Sequence, residues 1–407
     1  MSKIITCPYC YNKFSNKEVE YQCENIETNV DGIPKCPKEV DTKFNDHWGI
    51  PRESRHFFKG KPFGLFSSEP KASKRDRCGK PSKRFVCPHC HNWLPTEMIE
   101  EGSEIISIVG APNSGKTVYF FNLMYQLEKK GYLLGLTITA RDEGPDKDRK
   151  TSMIYRDMTN TMYRYHQLPP KTPVNEGEKP VPLIFKVSSK KIDKKSGKTI
   201  YIVFYDTPGE AFQDREMISR MADHVSNSAG VLLFVDPYNI QRLVGTIRAA
   251  SDDADITGGF QENENVLNSL LQKVDSKESA NKPFAIVFSK IDVVLKGLLK
   301  EGSEDLQSNI DLSKNSSFLK TKKLSLSEID QISGALEEIS HDWDVGDMKE
   351  RIREKYKEDN IKMFAVSSLG NPIPPDDTSQ IWPNPYRVMD PLIWLLHKMG
   401  GFDIPTE

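Results

Sequence analysis

The residues whose types and spacing most clearly suggest chemistry lie at positions 110–117, which read GAPNSGKT. Glycines in this loop would let the backbone wrap closely around phosphate groups, and N–H groups at the start of a helix attract negative charge. Lys116 is spaced to reach the β- and γ-phosphates of a nucleotide, and the Thr117 hydroxyl to ligate Mg²⁺. The loop residues that we expect to contact the nucleotide are Gly110, Asn113, Ser114, Gly115, Lys116 and Thr117.

A second phosphate motif follows the predicted strand 200–205 and reads DTPG at residues 206–209. Ligands of open α/β sheets bind at the carboxyl ends of the strands, where this motif would lie. We expect Asp206 to hold Mg²⁺, usually through water, and the Gly209 amide to bond the γ-phosphate. Loss of that phosphate would release the following loop, which is the logic of nucleotide switches.

A third motif predicts which base is bound. Residues 289–292 read SKID after the predicted strand 284–288, and they resemble the base-reading motif of GTPases. The Asp292 carboxylate can accept hydrogen bonds from N1–H and the exocyclic amine of guanine, which adenine does not present there. Lys290, next to Ser289, can lay its aliphatic stem over the base. The motif therefore favours GTP and GDP over adenine nucleotides.

The last motif completes a family resemblance. Ser367 and Ser368 follow the predicted strand 363–366, in the place of the loop whose backbone N–H meets guanine O6. With the four motifs in this order, residues 104–399 resemble a TRAFAC-class GTPase domain. Together with the cysteine-rich head they are similar to the predicted bacterial double-GTPase family. The resemblance implies hydrolysis of GTP as a molecular switch, a protein partner or effector, and a role in bacterial conflict or defence.

The residues that would drive hydrolysis are marked less clearly. Glu210 occupies the place where Ras-type enzymes have a water-orienting glutamine, and a carboxylate there adds repulsion beside the γ-phosphate. Asn113, after Pro112, resembles the K⁺-holding asparagine of potassium-activated GTPases. We expect Thr172 to be the switch threonine and a further Mg²⁺ ligand. The expected catalytic residues are thus Lys116, Asn113, Thr172, Gly209 and Glu210.

Several alternatives stay open at this point. Thr159 and Thr161 compete with Thr172 for the switch role, and an arginine at position 149, 156 or 164 is a candidate to approach the γ-phosphate. Because Glu210 replaces glutamine, a nucleotide-binding scaffold or sensor with little hydrolysis is the second hypothesis. An ATPase or a zinc-ribbon nucleic-acid factor is the third, and the guanine-reading motif disfavours it.

All seven cysteines lie before residue 91, which favours metal ligation over disulfides. Cys7-Pro-Tyr-Cys10 and Cys87-Pro-His-Cys90 are two knuckles that can each aim two thiolates at one tetrahedral Zn²⁺. The remaining cysteines, Cys23, Cys36 and Cys78, predict a second zinc site completed by a histidine. The candidates for that histidine are His47, His56, His89 and His91. Buried free thiols and a redox pair are the alternatives.

Composition excludes little. The formal charge of −2 and the 37% apolar content indicate an ordinary globular protein with no global field for nucleic acid or membrane. The apolar runs, such as 230–235, are far shorter than the roughly 20 residues of a spanning helix, and the beginning of the chain lacks a signal-peptide core. We therefore expect a cytoplasmic protein. The basic stretch 71–84 lacks interleaved aromatic residues, which favours a solvated loop over nucleic-acid contact through the zinc module.

The elements that must position these motifs follow an alternating pattern of strands and helices from residue 104 onward, which predicts a P-loop α/β fold with a mostly parallel, Ras-like sheet and helices on both faces. We predict a zinc module at 1–101 and a GTPase domain at 102–407 with insertions near 141–179, 245–263 and 296–360. The predicted strands are 105–109, 133–139, 183–187, 200–205, 231–235, 284–288 and 363–366. A helix after Lys116 should end at Gly131, Ser325 and Glu328 resemble a capping box, and Asp390 should cap the closing helix.

Overall fold

A computed structural model describes most of the chain. The described residues are 2–61, 78–142, 150–170, 182–189, 199–205, 222–250, 262–300, 314–372 and 380–407, together with the backbone of 73–74. Within them, no helix combines the length and the apolar character needed to cross a bilayer.

The first 101 residues form short strands and two helices. The strands are β1 (Ile4–Thr6), β2 (Lys13–Ser15), β3 (Glu20–Gln22), β4 (Glu39–Val40), β5 (Glu53–Ser54), β6 (Phe57–Lys59), β7 (Ser73–Lys74), β8 (Pro81–Ser82) and β9 (Arg84–Val86). The helices are α1 (Thr42–Trp48) and α2 (Thr96–Glu101). The largest sheet here has only three strands, in the order β6-β3-β9, and all its neighbours pair antiparallel. So small a sheet cannot bury a large core without other support.

A seven-stranded sheet organises the rest of the chain. Its strands are β10 (Glu104–Gly110), β11 (Leu136–Arg141), β12 (Leu183–Ser189), β13 (Ile200–Phe204), β14 (Gly230–Val235), β15 (Phe284–Phe288) and β16 (Ile361–Ala365). The helices are α3 (Lys116–Lys130), α4 (Thr151–Tyr163), α5 (Val244–Ala250), α6 (Glu262–Lys273), α7 (Ser276–Ser279), α8 (Ile291–Lys300), α9 (Phe318–Thr321), α10 (Leu326–Asp342), α11 (Asp347–Arg353) and α12 (Asp390–Met399). Short 3₁₀ turns cover Gly131–Leu134, Pro237–Asn239, Gln241–Leu243 and Glu358–Asn360.

The strand order is β11-β12-β13-β10-β14-β15-β16, and only β12 runs against its neighbours. The parallel register pairs Ser107 with Val203 on one side and with Val231 on the other. The loops after β10, β13, β14, β15 and β16 therefore leave the sheet at one edge, where open α/β folds bind ligands. This confirms the predicted mostly parallel α/β fold.

Helices cover both faces of this sheet, as predicted. Helices α3, α4 and α12 pack on one face around Phe120, Phe204 and Leu395. Helices α5, α6, α8, α10 and α11 pack on the other around Ile247, Leu267 and Phe288. In α3 the apolar residues Phe120, Leu123, Met124 and Leu127 are all buried, and Gly131 caps the helix as predicted.

The cysteine-rich segment shares its core with the sheet. Its apolar cluster, which includes Phe14, Tyr21 and Trp48, continues directly into Ile105, Ile184, Tyr201 and Val203 of β10, β12 and β13. At the junction, the Ser103 amide donates to Ile4 O at 3.1 Å, and the Thr6 amide donates to Ser103 O at 3.2 Å. The segment thus covers part of a sheet face that would otherwise meet water. The division at residue 101 stays a prediction.

Three local predictions need correction. The strand expected at 133–139 begins only at Leu136, because residues 131–134 form a 3₁₀ turn. Met389, not Asp390, is the N-cap of α12, since the buried Asp390 carboxylate instead accepts hydrogen bonds from Ser316 and Arg387. Ser325 does cap α10, but the Glu328 carboxylate accepts from Ser317 and Arg387 and does not complete a capping box.

The three polar stretches interpreted as insertions hold helices of the core. Helix α4 lies in the first stretch, α5 in the second, and α10 and α11 in the third. Met162, Ile247 and Leu336 from these helices are each buried in the clusters that cover the sheet. Their polar appearance reflects one solvated helix face, because an amphipathic surface helix needs only a narrow apolar stripe.

Candidate functional site

The loop between β10 and α3 has the backbone of a phosphate cradle. Asn113 and Gly115 adopt left-handed conformations with φ of 57° and 79°, so consecutive residues alternate in handedness, as in anion-binding nests. At Gly110 a side chain has no room, since a Cβ atom would lie 2.7 Å from the Cβ and carbonyl oxygen of Phe234. Helix α3 then begins at Lys116, which places a helix N-terminus at the end of the loop.

Lys116 lies inside this loop and is buried. Its Nζ donates to Gly110 O at 2.9 Å and to Ser114 Oγ at 3.1 Å, and it also donates to Ala111 O. These are carbonyl and hydroxyl acceptors without formal charge, so a phosphate oxygen would be a stronger partner for the ammonium group. The loop therefore surrounds the Lys116 ammonium group with its own oxygen atoms, and its contact with phosphate stays a prediction.

Lys290 connects the loop that follows β15 to the loop that follows β10. Its Nζ donates to Asn113 O at 2.8 Å and to the Asp236 carboxylate at 2.9 Å. It also lies 4.7 Å from the centre of the Tyr238 ring, within range of a cation–π contact. Lys290 has a left-handed φ of 49°, and the Ser289 amide and hydroxyl both donate to Val235 O. The segments that follow β10, β14 and β15 are thereby fixed relative to one another.

Asp292 and Ser367 meet at the carboxyl ends of β15 and β16. The Ser367 hydroxyl donates to Asp292 Oδ1 at 2.6 Å and accepts from the Gly370 amide at 2.7 Å. Burial raises the pKa of Asp292, while the hydrogen bond from Ser367 and the charges of Lys290 and Lys296 act in the opposite direction. The second carboxylate oxygen stays available to a base, and the first is held in a fixed orientation.

The backbone of Ser367 is committed elsewhere. Its amide donates to Tyr386 O at 3.2 Å, and its carbonyl accepts from the Tyr386 amide at 3.0 Å. The Ser367 N–H is therefore not the group to meet guanine O6 in this arrangement. Ser368, which is half-exposed at the start of the same turn, is the better placed of the pair.

Several predicted site residues lie outside the described residues: Arg149, Thr172, Asp206, Gly209 and Glu210. Of the alternative switch threonines, Thr159 donates to Tyr155 O at 2.8 Å and Thr161 donates to Asp157 O at 2.9 Å, both within α4. Bonded to their own helix, neither hydroxyl is presented as a loop ligand would be.

Sequence reasoning missed Asp236. It directly follows β14, is buried, and caps the following 3₁₀ turn by accepting from the Tyr238 amide at 3.1 Å. Asn263 of α6 holds its backbone, because Asn263 Nδ2 donates to Asp236 O and the Asp236 amide donates to Asn263 Oδ1. The only signal in the sequence is an acidic residue directly after a buried apolar strand of the same sheet.

The first cysteine centre consists of Cys7, Cys10, Cys87 and Cys90, whose sulfur atoms all lie within 4.8 Å of one another. The distance from Cys7 Sγ to Cys90 Sγ is 3.7 Å, and from Cys10 Sγ to Cys87 Sγ it is also 3.7 Å. Four thiolates at about 2.3 Å around a tetrahedral Zn²⁺ would be roughly 3.8 Å apart. The donor set and its spacing therefore fit zinc.

The two knuckles fold alike, which explains how they converge. In each, the amide two residues after the first cysteine points to its sulfur: Tyr9 N to Cys7 Sγ at 3.5 Å, and His89 N to Cys87 Sγ at 3.4 Å. The residue after each second cysteine, Tyr11 or His91, then has a left-handed φ and donates back to the first cysteine's carbonyl.

The first knuckle also contacts the nucleotide domain directly. The Tyr205 hydroxyl donates to Tyr9 O at 2.9 Å and to Pro8 O at 3.3 Å. Tyr205 follows β13 and precedes the predicted Mg²⁺ ligand Asp206 in the chain. The Tyr11 ring stacks on His224 with centroids 3.8 Å apart. The cysteine centre thus lies against the strand that leads to the second phosphate motif.

The second cysteine cluster consists of Cys23, Cys36 and Cys78, and in the described part of the chain no histidine, cysteine or acidic side chain joins it. This corrects the expected histidine ligand.

The candidate histidines have other contacts. His56 contacts Glu39 at 2.9 Å, and His91 lies between Asp41 and Glu20 at 2.6 and 3.0 Å. Burial lowers the pKa of His91, but the hydrogen bonds to the two carboxylates outweigh it and raise the pKa overall. His47 and His89 pack against Trp48 and Phe14.

The basic stretch has three cations with described side chains, Lys80, Lys83 and Arg84, and the first and the last of them are engaged within the module. Lys80 Nζ lies 3.2 Å from a Glu27 carboxylate oxygen, and the Arg84 guanidinium lies over the Trp93 ring at 4.2 Å. These contacts draw both cations toward the protein's own surface and leave less charge for a nucleic-acid backbone.

Comparison with known proteins gives one family match. A family model described as Double-GTPase 2 matches residues 104–343, more than half of the chain. The matched stretch begins with β10 and includes the phosphate loop, Asp236 and the Ser289 to Asp292 motif, and it ends before Ser367.

Individual relatives are distant. The chain is 24% identical over 246 residues to a putative ESX-1 scaffolding and assembly protein, SaeC, of Mycolicibacterium smegmatis, a match that covers 59% of this chain and 60% of that protein. Two crystal structures of the S. cerevisiae Ski7 GTPase-like domain, one with GTP and one with GDP and inorganic phosphate, share 12% and 14% identity and have TM-scores of 0.35 and 0.32. Each alignment covers 73% of this chain and 50% of the other.

Proposed function

Because this chain belongs to the Double-GTPase 2 family and is a GTP-binding protein, we propose that it hydrolyses GTP to GDP and phosphate and acts as a molecular switch. The observation that carries the proposal is the position of Lys290, which joins the base-reading loop to the phosphate loop through Asn113 O and Asp236. A nucleotide bound along this edge would have its base beside Asp292 and its phosphates beside Lys116.

Each part of the nucleotide has a partner in this proposal. The Asp292 carboxylate accepts from guanine N1–H and the exocyclic amine, oriented by the Ser367 hydroxyl, and Ser368 offers its amide to O6. Lys290 covers the base with its stem. The loop of Gly110, Asn113, Ser114 and Gly115 surrounds the phosphates, and Lys116 moves from Gly110 O to the β- and γ-phosphate oxygens.

The metal ligands in this proposal are Thr117, Asp206 and Thr172, of which only Thr117 lies in the described residues. Thr117 stands at the second position of α3, next to Lys116, where its hydroxyl can face a phosphate-bound Mg²⁺. When bound, Mg²⁺ neutralises charge on the β- and γ-phosphates. Gly209 would bond the γ-phosphate and Glu210 would orient water. The exposed Asn113 side chain, held on a left-handed backbone, is our candidate K⁺ ligand.

We assign a structural zinc ion to Cys7, Cys10, Cys87 and Cys90, because four buried or half-buried thiols at tetrahedral spacing form a closed site. A protein effector that reads the switch, and the role in bacterial conflict that the family resemblance implies, stay predictions.

One observation favours a second function, that of a nucleotide-bound scaffold with little turnover. Glu210 would place a negative charge where Ras-type enzymes use a neutral glutamine. The relative from M. smegmatis is described as a scaffolding and assembly protein, although the chain spans only 60% of its length. In this alternative, bound GTP stabilises one shape of the protein and is released unchanged.

The experiment that decides is phosphate release by the purified full chain from GTP and from ATP, with Mg²⁺, in matched KCl and NaCl buffers. A GTP-specific rate that K⁺ increases supports a GTPase that uses Asn113. A GTP-specific rate that is equal in both salts supports the GTPase and removes the K⁺ role.

One control makes the result interpretable. Lys116→Ala should abolish nucleotide binding, and unchanged GTP affinity in this variant contradicts the phosphate-site assignment. Tight GTP binding without phosphate release in either salt supports the scaffold. Faster hydrolysis of ATP than of GTP rejects both functions.

A further inference from the structure

The second cysteine cluster includes a residue from a segment that buries no other side chain. From residue 26 to residue 40 every side chain is exposed except Cys36. Residues 26–40, the exposed excursion, include the apolar residues Ile26, Val30 and Ile33, which also face solvent. The one buried residue of this stretch is therefore a cysteine that meets two other cysteines, which is the arrangement of a metal staple in a small domain.

The three thiols arrive from separate parts of the module. Cys23 follows β3, Cys36 lies in the exposed excursion, and Cys78 precedes β8. Their sulfur atoms lie within 4.8 Å of one another, and Cys23 Sγ lies 3.2 Å from Cys78 Sγ. The Cys23 amide donates to His56 O at 2.8 Å, so the first of them is held by its backbone.

Hydrophobic packing does not account for this convergence. Cys7, Cys87 and Cys90 belong to the apolar cluster of the module, whereas Cys23, Cys36 and Cys78 lie outside it. One described neighbour of the cluster is polar: the Asn25 side chain donates to Cys78 O at 3.5 Å. A thiol that packs as a small apolar residue would be found among apolar side chains.

We propose that Cys23, Cys36 and Cys78 hold a second Zn²⁺ through three thiolates, with a fourth position open to a donor from solution. Among the described residues no fourth side chain joins the three sulfur atoms, and the candidate histidines His56 and His91 contact carboxylates instead. Cys78 is half-exposed, which gives a small ligand access to the site. Zinc sites with three protein ligands keep their remaining position for water or an exchangeable ligand. This site does not depend on GTP binding.

The test begins with zinc content of the untagged full chain, measured by elemental analysis after exchange into metal-free buffer. Wild type should carry two zinc ions per chain and Cys36→Ser one. Val30→Ser makes a similar change at an exposed residue of the same excursion and should keep two. One zinc ion in wild type overturns the proposal.

The open position has its own readout. After replacement of zinc by Co²⁺, added imidazole should change the visible cobalt spectrum of wild type but leave that of Cys36→Ser unchanged. An unchanged wild-type spectrum means that the fourth position is closed and overturns that part of the proposal.

Wild type alone also decides the matter if Cys36→Ser fails to fold. Zinc released by stepwise thiol modification should come out in two stages, since a three-thiolate site with an open position reacts before a closed one. Thiol counting without reductant should find seven free thiols after denaturation and chelation. Five free thiols indicate a Cys23–Cys78 disulfide and overturn the metal site.

Discussion

At the scale of a single residue, Asp292 accepts a hydrogen bond within the protein and is also the proposed acceptor for guanine. Its Oδ1 accepts from Ser367, so the carboxylate is oriented before any base arrives. In the proposed function this hydrogen bond gives Ser367 a positioning role, although its amide is bonded to Tyr386 O. A rigid acceptor favours guanine because little side-chain freedom is lost on binding.

We expect Asp292→Asn to weaken GTP binding by about 3 kcal/mol, or roughly 100-fold, because hydrogen bonds to the charged acceptor are lost. The same variant should gain affinity for xanthosine triphosphate, whose base offers an acceptor where guanine has an amine. Titration with both nucleotides measures this. Asparagine can still accept from Ser367, so the melting temperature should change little. An unchanged preference for GTP over the xanthine nucleotide would place base recognition elsewhere.

Asp236 should affect affinity without affecting base choice. Asp236→Asn keeps the cap of the 3₁₀ turn but removes the negative charge that holds Lys290. We expect GTP affinity to fall about tenfold, since one charged hydrogen bond is replaced by a neutral one. The ratio of GTP to xanthosine triphosphate affinity should stay the same. A changed ratio would mean that Asp236 contacts the base itself.

The difference between these two aspartates shows what a sequence can predict about a site. Asp292 stands in a four-residue pattern with a lysine at fixed spacing, and that spacing reflects one nucleotide-binding loop. Asp236 acts on a lysine 54 positions away, and a single acidic residue after a strand has no local pattern. Asp236 and Lys290 come into contact only when β14 and β15 pair.

At the scale of elements, α5 and α8 pack closely against each other on one face of the sheet. A Cβ on Gly297 of α8 would lie 1.9 Å from the carbonyl oxygen of Thr246 in α5. Because that obstacle is backbone, no rotamer change relieves it. Helix α8 begins with the residues that follow Lys290, so this packing also sets the position of Asp292.

We therefore expect Gly297→Ala to lower the free energy of unfolding by about 1–3 kcal/mol through overpacking. Gly334→Ala is the matched control, because Gly334 also lies within a helix but has open space around its missing Cβ. That change should stabilise by about 0.5–1 kcal/mol through helix propensity. Chemical denaturation of both variants measures the difference. Equal effects of the two substitutions would show that α5 and α8 do not pack this closely.

Strand positions were predictable because buried parallel strands read as continuous apolar runs, as at Phe284–Phe288. The strand order and the reversed direction of β12 were not predictable, because pairing partners such as β10 and β13 lie far apart in sequence. The helices within the polar stretches were hard to predict for the opposite reason. Helices such as α4 bury only residues like Met162, and their remaining faces are polar.

At the scale of the whole molecule, the cysteine-rich segment shares its core with the seven-stranded sheet. Its core includes Tyr201 and Val203 of β13, and Tyr205 donates to the backbone of the first knuckle. The convergence of the two knuckles was predictable from their repeated pattern. Their docking on the sheet was not, because no sequence pattern marks which sheet residues lie under the module.

Removal of the zinc ion should therefore destabilise the nucleotide domain as well as the module. We expect a strong chelator to lower the melting temperature of the whole chain, and zinc addition to restore it. Tyr205→Phe keeps the ring and removes the hydroxyl that donates to Tyr9 O and Pro8 O, so it should cost about 1–2 kcal/mol without releasing zinc. A GTP-binding domain that melts at the same temperature with and without zinc would contradict this coupling.

His224 makes this interface sensitive to acid. The ring stacks on Tyr11, lies edge-on to Tyr205, and burial lowers its pKa from 6.5 to about 3. The unfolded chain therefore takes up a proton below about pH 6.5 that the folded chain refuses, so stability falls as pH falls, by up to about 1.4 kcal/mol per pH unit.

His224→Phe preserves the stacking and removes this proton, which isolates the contribution of one ring. Between about pH 6.5 and pH 5 wild type should lose roughly 1.6 kcal/mol more than the variant. Other acid effects, including zinc loss and the carboxyl of Asp390, whose pKa burial raises to about 6, are common to both proteins and cancel in the difference. Unfolding of the two proteins at several pH values measures that difference, and parallel curves would show that His224 accepts its proton in the folded state.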